Sequence, residues 1–121
     1  ELSNIRLNSS EENLMYILRY MQANYKTVSL KELSSIFNYS ERQLQRIIQN
    51  ATGHTFIENI QNQKMKRASD LLKNSTLSVS EISERTGFQS LNNFRKIFFK
   101  YFGMTPSEYR KTCAIKRTPL S

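Results

Sequence analysis

"GFQSLNNFRKIFFKYFGMTPSEYR", residues 87–110, is the stretch on which the reading of this chain turns. Gly87 tolerates the left-handed backbone that ends one helix and aims the next. Ser90 then stands where a helix start needs a side-chain oxygen for its orphan amides. From Asn92, at about 100° per residue, Phe94, Ile97, Phe98 and Tyr101 gather on one side and Asn92, Arg95 and Lys96 on the other. After Gly103, Thr105 pairs with Glu108 as a second start, and Pro106 occupies the first helical position, where its missing N–H costs nothing. The stretch therefore predicts two helices, the first carrying one oily flank and one flank of amides and cations.

The same punctuation recurs along the chain. Ser9 with Glu12, Ser29 with Glu32, Ser40 with Gln43, Thr55 with Glu58, and Ser78 with Glu81 each set a hydroxyl three residues before a Glu or Gln, ahead of an apolar pattern of helical period. With Ser90 and Thr105 they predict seven helices. The starts also pair off. Ser29, Leu33, Ser34, Asn38 and Tyr39 match Ser78, Ile82, Ser83, Gly87 and Phe88 at one offset. Past the extra residue Gln89, Ser40, Leu44, Arg46, Ile48, Gly53, Thr55 and Glu58 match Ser90, Phe94, Lys96, Phe98, Gly103, Thr105 and Glu108. Such an internal repeat predicts two copies of a helix, a tight turn and a second helix.

A plain αα-hairpin has the same outline, so the outer flank of each second helix matters. In the first copy Leu44, Ile47 and Ile48 face one way while Arg42, Gln45, Arg46 and Gln49 face the other. Arg, Lys, Gln and Asn are the side chains that pair with guanine and adenine edges or reach phosphates in the major groove. One such flank is as readily an ordinary solvated surface. Two, both free of acidic residues, favour DNA; Glu41 sits at the cap end of the first, where it complements the helix dipole.

Composition agrees. The 121 residues hold 18 Lys and Arg against 10 Asp and Glu, a formal charge of +8 that favours an anionic partner. Residues 1–40 are balanced, four basic against four acidic, so everything from Glu41 onward carries the whole excess. Cys113 is the single cysteine and His54 the single histidine, too few for a zinc site or an internal disulfide, and a reducing, cytoplasmic setting fits. No nucleophile and base recur as a pair, and three glycines build no phosphate loop, so no enzyme, cofactor or metal is expected. No run has the length of a membrane span. "ELSNIRLNSSEE" has no core-forming period and reads as a cut inside an interdomain linker, which suggests a fragment of a longer protein. In "ENLMYILRYMQANY", Leu14, Ile17, Leu18 and Met21 form a stripe expected to pack on the first unit.

These residues resemble the AraC/XylS transcription regulators. "LSVSEISERTGFQSLNNFRKIFFKYFGMTPSEYR" is similar to the family's signature, with Ile82, Gly87, Phe88, Phe94, Phe98, Gly103, Thr105, Pro106 and Tyr109 at its marked positions. "VSLKELSSIFNYSERQLQRIIQNATGHTF" and "KMKRASDLL" fit the first unit and the helix between, so the likeness runs from about Glu11 to Arg110. The resemblance implies an all-α fold in which two helix-turn-helix subdomains, 11–54 and 75–112, flank a connecting helix at 55–74, with a linker remnant at 1–10 and a flexible basic tail at 113–121. It implies a bacterial, nucleoid-associated regulator, activator or repressor being left open, that binds double-stranded DNA through recognition helices at about 41–50 and 91–102, in successive major grooves. Arg42, Gln45 and Arg46 then face bases in one groove, and Asn92, Asn93 and Lys96 in the other. Backbone contacts fall to the helix starts at Ser29, Ser40, Ser78 and Ser90 and to Lys31, Arg95 and Lys100, with Arg95 open to base or phosphate. Effector binding and dimerisation belong to a missing N-terminal domain, and RNA polymerase is left open as a further partner.

Four positions depart from the family's habit, Ser34 and Ser83 standing where it commonly has Ala. Lys64 stands where the family favours Arg, and Phe99 where it tends to be basic. A lone aromatic there is expected first to cover neighbouring core, with stacking on a sugar or meeting another protein as alternatives. Phe99 is also the best feature of a rival reading, a helical module that binds a partner regulator or RNA polymerase without DNA.

Overall fold

The computed structural model describes residues 9–117, with side chains from 12 to 114. Seven helices follow one another among the described residues: α1 (Ser9–Ala23), α2 (Leu30–Phe37), α3 (Glu41–Thr52), α4 (Phe56–Asn74), α5 (Val79–Arg85), α6 (Leu91–Phe102) and α7 (Pro106–Arg117). The fold is all-α, as the capping pattern predicts. α1 already includes Ser9, inside the expected linker, and α7 continues through Cys113 to Arg117, so a tail starting at 113 is corrected to one whose remaining residues lie outside the described part. The Ser9 cap falls on an undescribed side chain.

The starts are held as the local chemistry requires. Ser40 and Gln43 exchange bonds of 3.1 and 2.9 Å, Thr55 and Glu58 of 3.1 and 2.9 Å, Ser78 and Glu81 of 3.0 and 3.0 Å, and Thr105 and Glu108 of 3.1 and 2.9 Å. Each exchange satisfies two amides that the helix cannot. Ser90 accepts from the Asn93 amide without a return bond, as its spacing predicts. Ser29 departs from expectation. Its hydroxyl accepts from the Glu32 amide at 3.0 Å, but the Glu32 carboxylate turns away to take the Tyr20 hydroxyl on α1. A phenol twelve residues back wins because it adds a tie between helices that a local cap cannot.

The chain divides into two compact units, Glu1–Gln61 and Asn62–Ser121, with the boundary inside α4. In the first, Ile17, Met21, Val28, Leu33, Leu44, Ile48, Phe56 and Ile60 form the core, so the predicted α1 stripe does pack there through Ile17 and Met21. In the second, Met65, Ala68, Leu72, Ile82, Phe88, Phe94 and Phe98 are buried together. Burying each of the larger side chains contributes about 1.5–3 kcal/mol, above the ~1 kcal/mol of a cap, so packing supplies most of the stability and caps set where helices begin. Tyr101 was expected inward but is 37% exposed. Phe102, at the edge of the apolar arc, packs instead, 4.4 Å from Phe98 and 5.2 Å from Tyr109 between ring centroids.

The one-residue slip between the repeats has a structural cause. α2 ends on Asn38, left-handed at φ 62°, whose amide bonds Ser34 O at 3.0 Å. α5 ends instead with Gly87 at φ 85°, its amide on Glu84 O and the Phe88 amide on Ser83 O, both at 3.0 Å. The first is the single-bond left-handed cap and the second the Schellman pattern of two bonds. The longer cap accommodates the extra residue while still turning the chain into the next helix.

Candidate nucleic-acid interface

Each unit presents its second helix in the same manner. On α3, Leu44 and Ile48 are wholly buried, Ile47 is half-buried, and Arg42, Gln43, Gln45, Arg46 and Gln49 are exposed. On α6, Phe94 and Phe98 are wholly buried, and Asn92, Asn93, Arg95, Lys96, Phe99 and Lys100 are exposed. All six residues expected at bases therefore face solvent on the side away from their unit's core, which is the side open to a ligand.

Electrostatics leave those side chains available. Among the described residues the ion pairs are His54 with Glu58 at 3.5 Å and Arg67 with Asp70 at 3.2 Å, both remote in sequence from α6. Neither involves Arg42, Arg46, Arg95, Lys96 or Lys100. The sequence of α6 contains no acid at all. Extended cations without an ionic partner give a positive surface that a polyanion can neutralise.

The expected backbone contacts separate by surroundings. Ser29, Ser40, Ser78 and Ser90 are all exposed, as are Lys31 and Lys100, and all four hydroxyls are engaged as caps. The first turns of α2, α3 and α5 carry Glu32, Glu41 and Glu81, while that of α6 carries none. A carboxylate beside a helix start opposes an incoming phosphate, so the Ser90 end offers the least repulsion.

Behind these faces lie positioning residues that spacing alone did not find. Lys64, on α4, donates to Gly87 O at 3.2 Å and lies 4.8 Å above the Phe88 ring, so it fixes the turn that launches α6. Burial holds its ammonium below the ordinary lysine range. A lysine suits this site because it delivers one charge to one carbonyl and one ring. Arg110, on α7, reaches back to Leu72 O at 3.0 Å, Ser75 O at 3.2 Å and Leu71 O at 3.5 Å, capping the end of α4 with a guanidinium. In the first unit the Asn59 amide group donates to Thr52 Oγ1 at 2.9 Å and to the carbonyls of His54 and Thr55 at 3.2 and 2.9 Å. That knot fixes the exit of α3. Lys64 stands out in the sequence only as a departure from the family's habit and Arg110 not at all, because their partners lie 23 and 38 residues away, beyond any local pattern.

Comparison with known proteins places this geometry. A family model described as a helix-turn-helix domain matches residues 33–112. The multiple antibiotic resistance protein MarA of Escherichia coli (strain K12) is 32% identical over 108 residues, covering 88% of this chain and 85% of that protein. The Msm operon regulatory protein of Streptococcus mutans is 30% identical over 105 residues, 86% of this chain but 38% of that protein. Among solved structures, the DNA-binding domain of the global transcriptional factor AdpA, crystallised with a target DNA, superposes with a TM-score of 0.81 at 25% identity, covering 86% of this chain and 95% of that one.

Proposed function

The chain belongs to the AraC/XylS family of transcription regulators, which bind DNA sequence-specifically, and on that premise we propose how its residues divide the work. α3 and α6 are the recognition helices, entering successive major grooves of one duplex. Arg42, Gln45 and Arg46 read base edges in one groove, and Asn92, Asn93 and Lys96 read them in the other. Arg and Lys suit guanine O6 and N7, while Asn and Gln suit adenine N6 and N7. Lys31, Arg95 and Lys100 engage phosphates, helped by the helix starts at Ser29, Ser40, Ser78 and Ser90, with Ser90 the strongest because no carboxylate opposes it. Subdomains 11–54 and 75–112, joined by 55–74, are the functional division.

One observation supports this most: the outward cations of both second helices have no ionic partner among the described residues, opposite wholly buried anchors. RNA polymerase is carried as an alternative further partner, and the cytoplasm is the proposed setting. Among the described residues no helix is long and apolar enough to cross a membrane.

Selection of duplexes from a randomised pool should return two short motifs about one helical turn apart. On the selected site, Arg46→Ala should remove about 1–3 kcal/mol of discrimination at one base position, whereas Lys100→Ala should weaken every sequence alike and reduce the salt slope by about 0.9. Identical, sequence-blind losses from both variants would refute the assignment of roles.

A further inference from the structure

Phe99 is the residue on the α6 face that the division above leaves without work. It is 54% exposed, so more than half of it is open to a ligand, and it enters no ring pair among the described residues, although five other aromatics of this unit do. It follows Asn92 by seven residues, Arg95 by four and Lys96 by three, so it is the next rung of the stripe formed by those side chains. Lys100 is its exposed neighbour, and α6 carries no acid.

A ring in that place meets whatever Asn92 and Lys96 meet. The surrounding cations and the missing carboxylates make that surface an anion, and within a DNA major groove the one apolar feature at the base edges is the thymine C5-methyl. We propose that Phe99 is a specificity residue that packs against a thymine methyl in the groove entered by α6. The proposal rests on the DNA-binding reading. Seven residues of helix advance about 10.5 Å, so the thymine lies beyond the base read by Asn92, towards the end of that half-site.

Deoxyuridine differs from thymidine by that methyl alone, so it isolates the contact. The test takes the 121-residue chain and a duplex recovered from a randomised pool, replaces each thymine of the α6 half-site singly by deoxyuridine, and measures binding of wild type, Phe99→Ala and Phe99→Leu. Phe99 is exposed, so both variants should fold, and circular dichroism checks this. At one position, deoxyuridine should weaken the wild type by about three- to tenfold, Phe99→Leu by less, and Phe99→Ala not at all. Equal responses of wild type and Phe99→Ala to every replacement overturn the proposal. If Phe99→Ala is then weakened on all duplexes the ring lies on the sugar-phosphate wall, and if it is unchanged the ring belongs to a protein partner. Failure of the underlying reading shows separately, because the wild type would then recover no preferred duplex.

Discussion

At the exit of α3, Thr52 and Asn59 close the turn with hydrogen bonds; at the exit of α6, the same two places of the repeat hold Phe102 and Tyr109, whose rings pack 5.2 Å apart. The contrast extends inward. Ile48 in the first unit stands where Phe98 stands in the second, and buried Ile60 stands where Arg110 reaches three carbonyls. Even the first helices differ, since Glu32 is drawn to Tyr20 while Glu81 closes its capping box. Two solutions, one with a mainly aliphatic buried core and a polar knot and one with clustered rings and a guanidinium clamp, hold the same pair of helices. What the repeat preserves is the set of starts, the left-handed stops and the outward polar flank; the means of fastening are free to vary.

Removing Phe98 should sharpen that contrast most. Phe98→Ala should cost about 3–5 kcal/mol in urea unfolding, because Phe94, Phe102 and Tyr109 all lose a neighbour. Hydrogen exchange should then quicken at α6 and α7 well before α2 and α3, and a loss below about 2 kcal/mol would show that the rings do not act as a set. Arg110→Ala comes next, at about 1.5–3 kcal/mol, since charged hydrogen bonds to carbonyls are lost; an unchanged midpoint would remove the clamp from the account. Asn59→Ala should cost about 1 kcal/mol, while Tyr109→Phe, which keeps the ring, should be near zero. Were Tyr109→Phe the costlier, the aromatic description of the second unit would be wrong.

Acid and alkali should separate the units with smaller effects. The Glu81 carboxyl is held below the usual carboxylate value, chiefly by its bond to the Ser78 backbone. Its contribution is therefore complete above the ordinary value of 4.5 and disappears as pH falls through the depressed one. The Tyr20 phenol is instead raised above 10.0, chiefly by its bond to Glu32, so that contribution is complete below 10.0 and disappears as pH climbs through the raised value. Glu81→Gln should flatten the acid limb of a stability profile and Tyr20→Phe the alkaline limb. The first unit has an acid-sensitive carboxyl too, Glu58, lowered chiefly by its bond to the Thr55 backbone, so Glu81→Gln should leave part of the acid limb in place.

Helix starts were legible because a hydroxyl and a carboxyl or amide three residues apart complete their chemistry within one turn. Ser78 with Glu81 needs no information from elsewhere. Ser29 with Glu32 looked identical, and its return bond failed only because Tyr20 competes from another helix. The faces of α3 and α6 were legible from periodicity, and all six base-facing candidates emerged exposed. Periodicity fails where neighbouring helices decide: at about 100° per residue Tyr101 falls between Ile97 and Phe94 and Phe102 at the margin, yet Phe102 is the one packed against the Tyr109 ring. Lys64, Arg110 and Asn59 act on backbone carbonyls, which every residue possesses, so no spacing could single out their targets. Phe99 stands out in the sequence as an oddity, but the extent of its exposure is set by the fold.

The anchoring of α6 by Phe94 and Phe98 has a practical corollary. Those two rings, with the Lys64 brace at the preceding turn, fix the rod from behind, and positions 92, 93, 95, 96 and 99 carry none of that load. They form a cassette that can be rewritten by randomising five codons and screening for a new target, while the scaffold stays as it is.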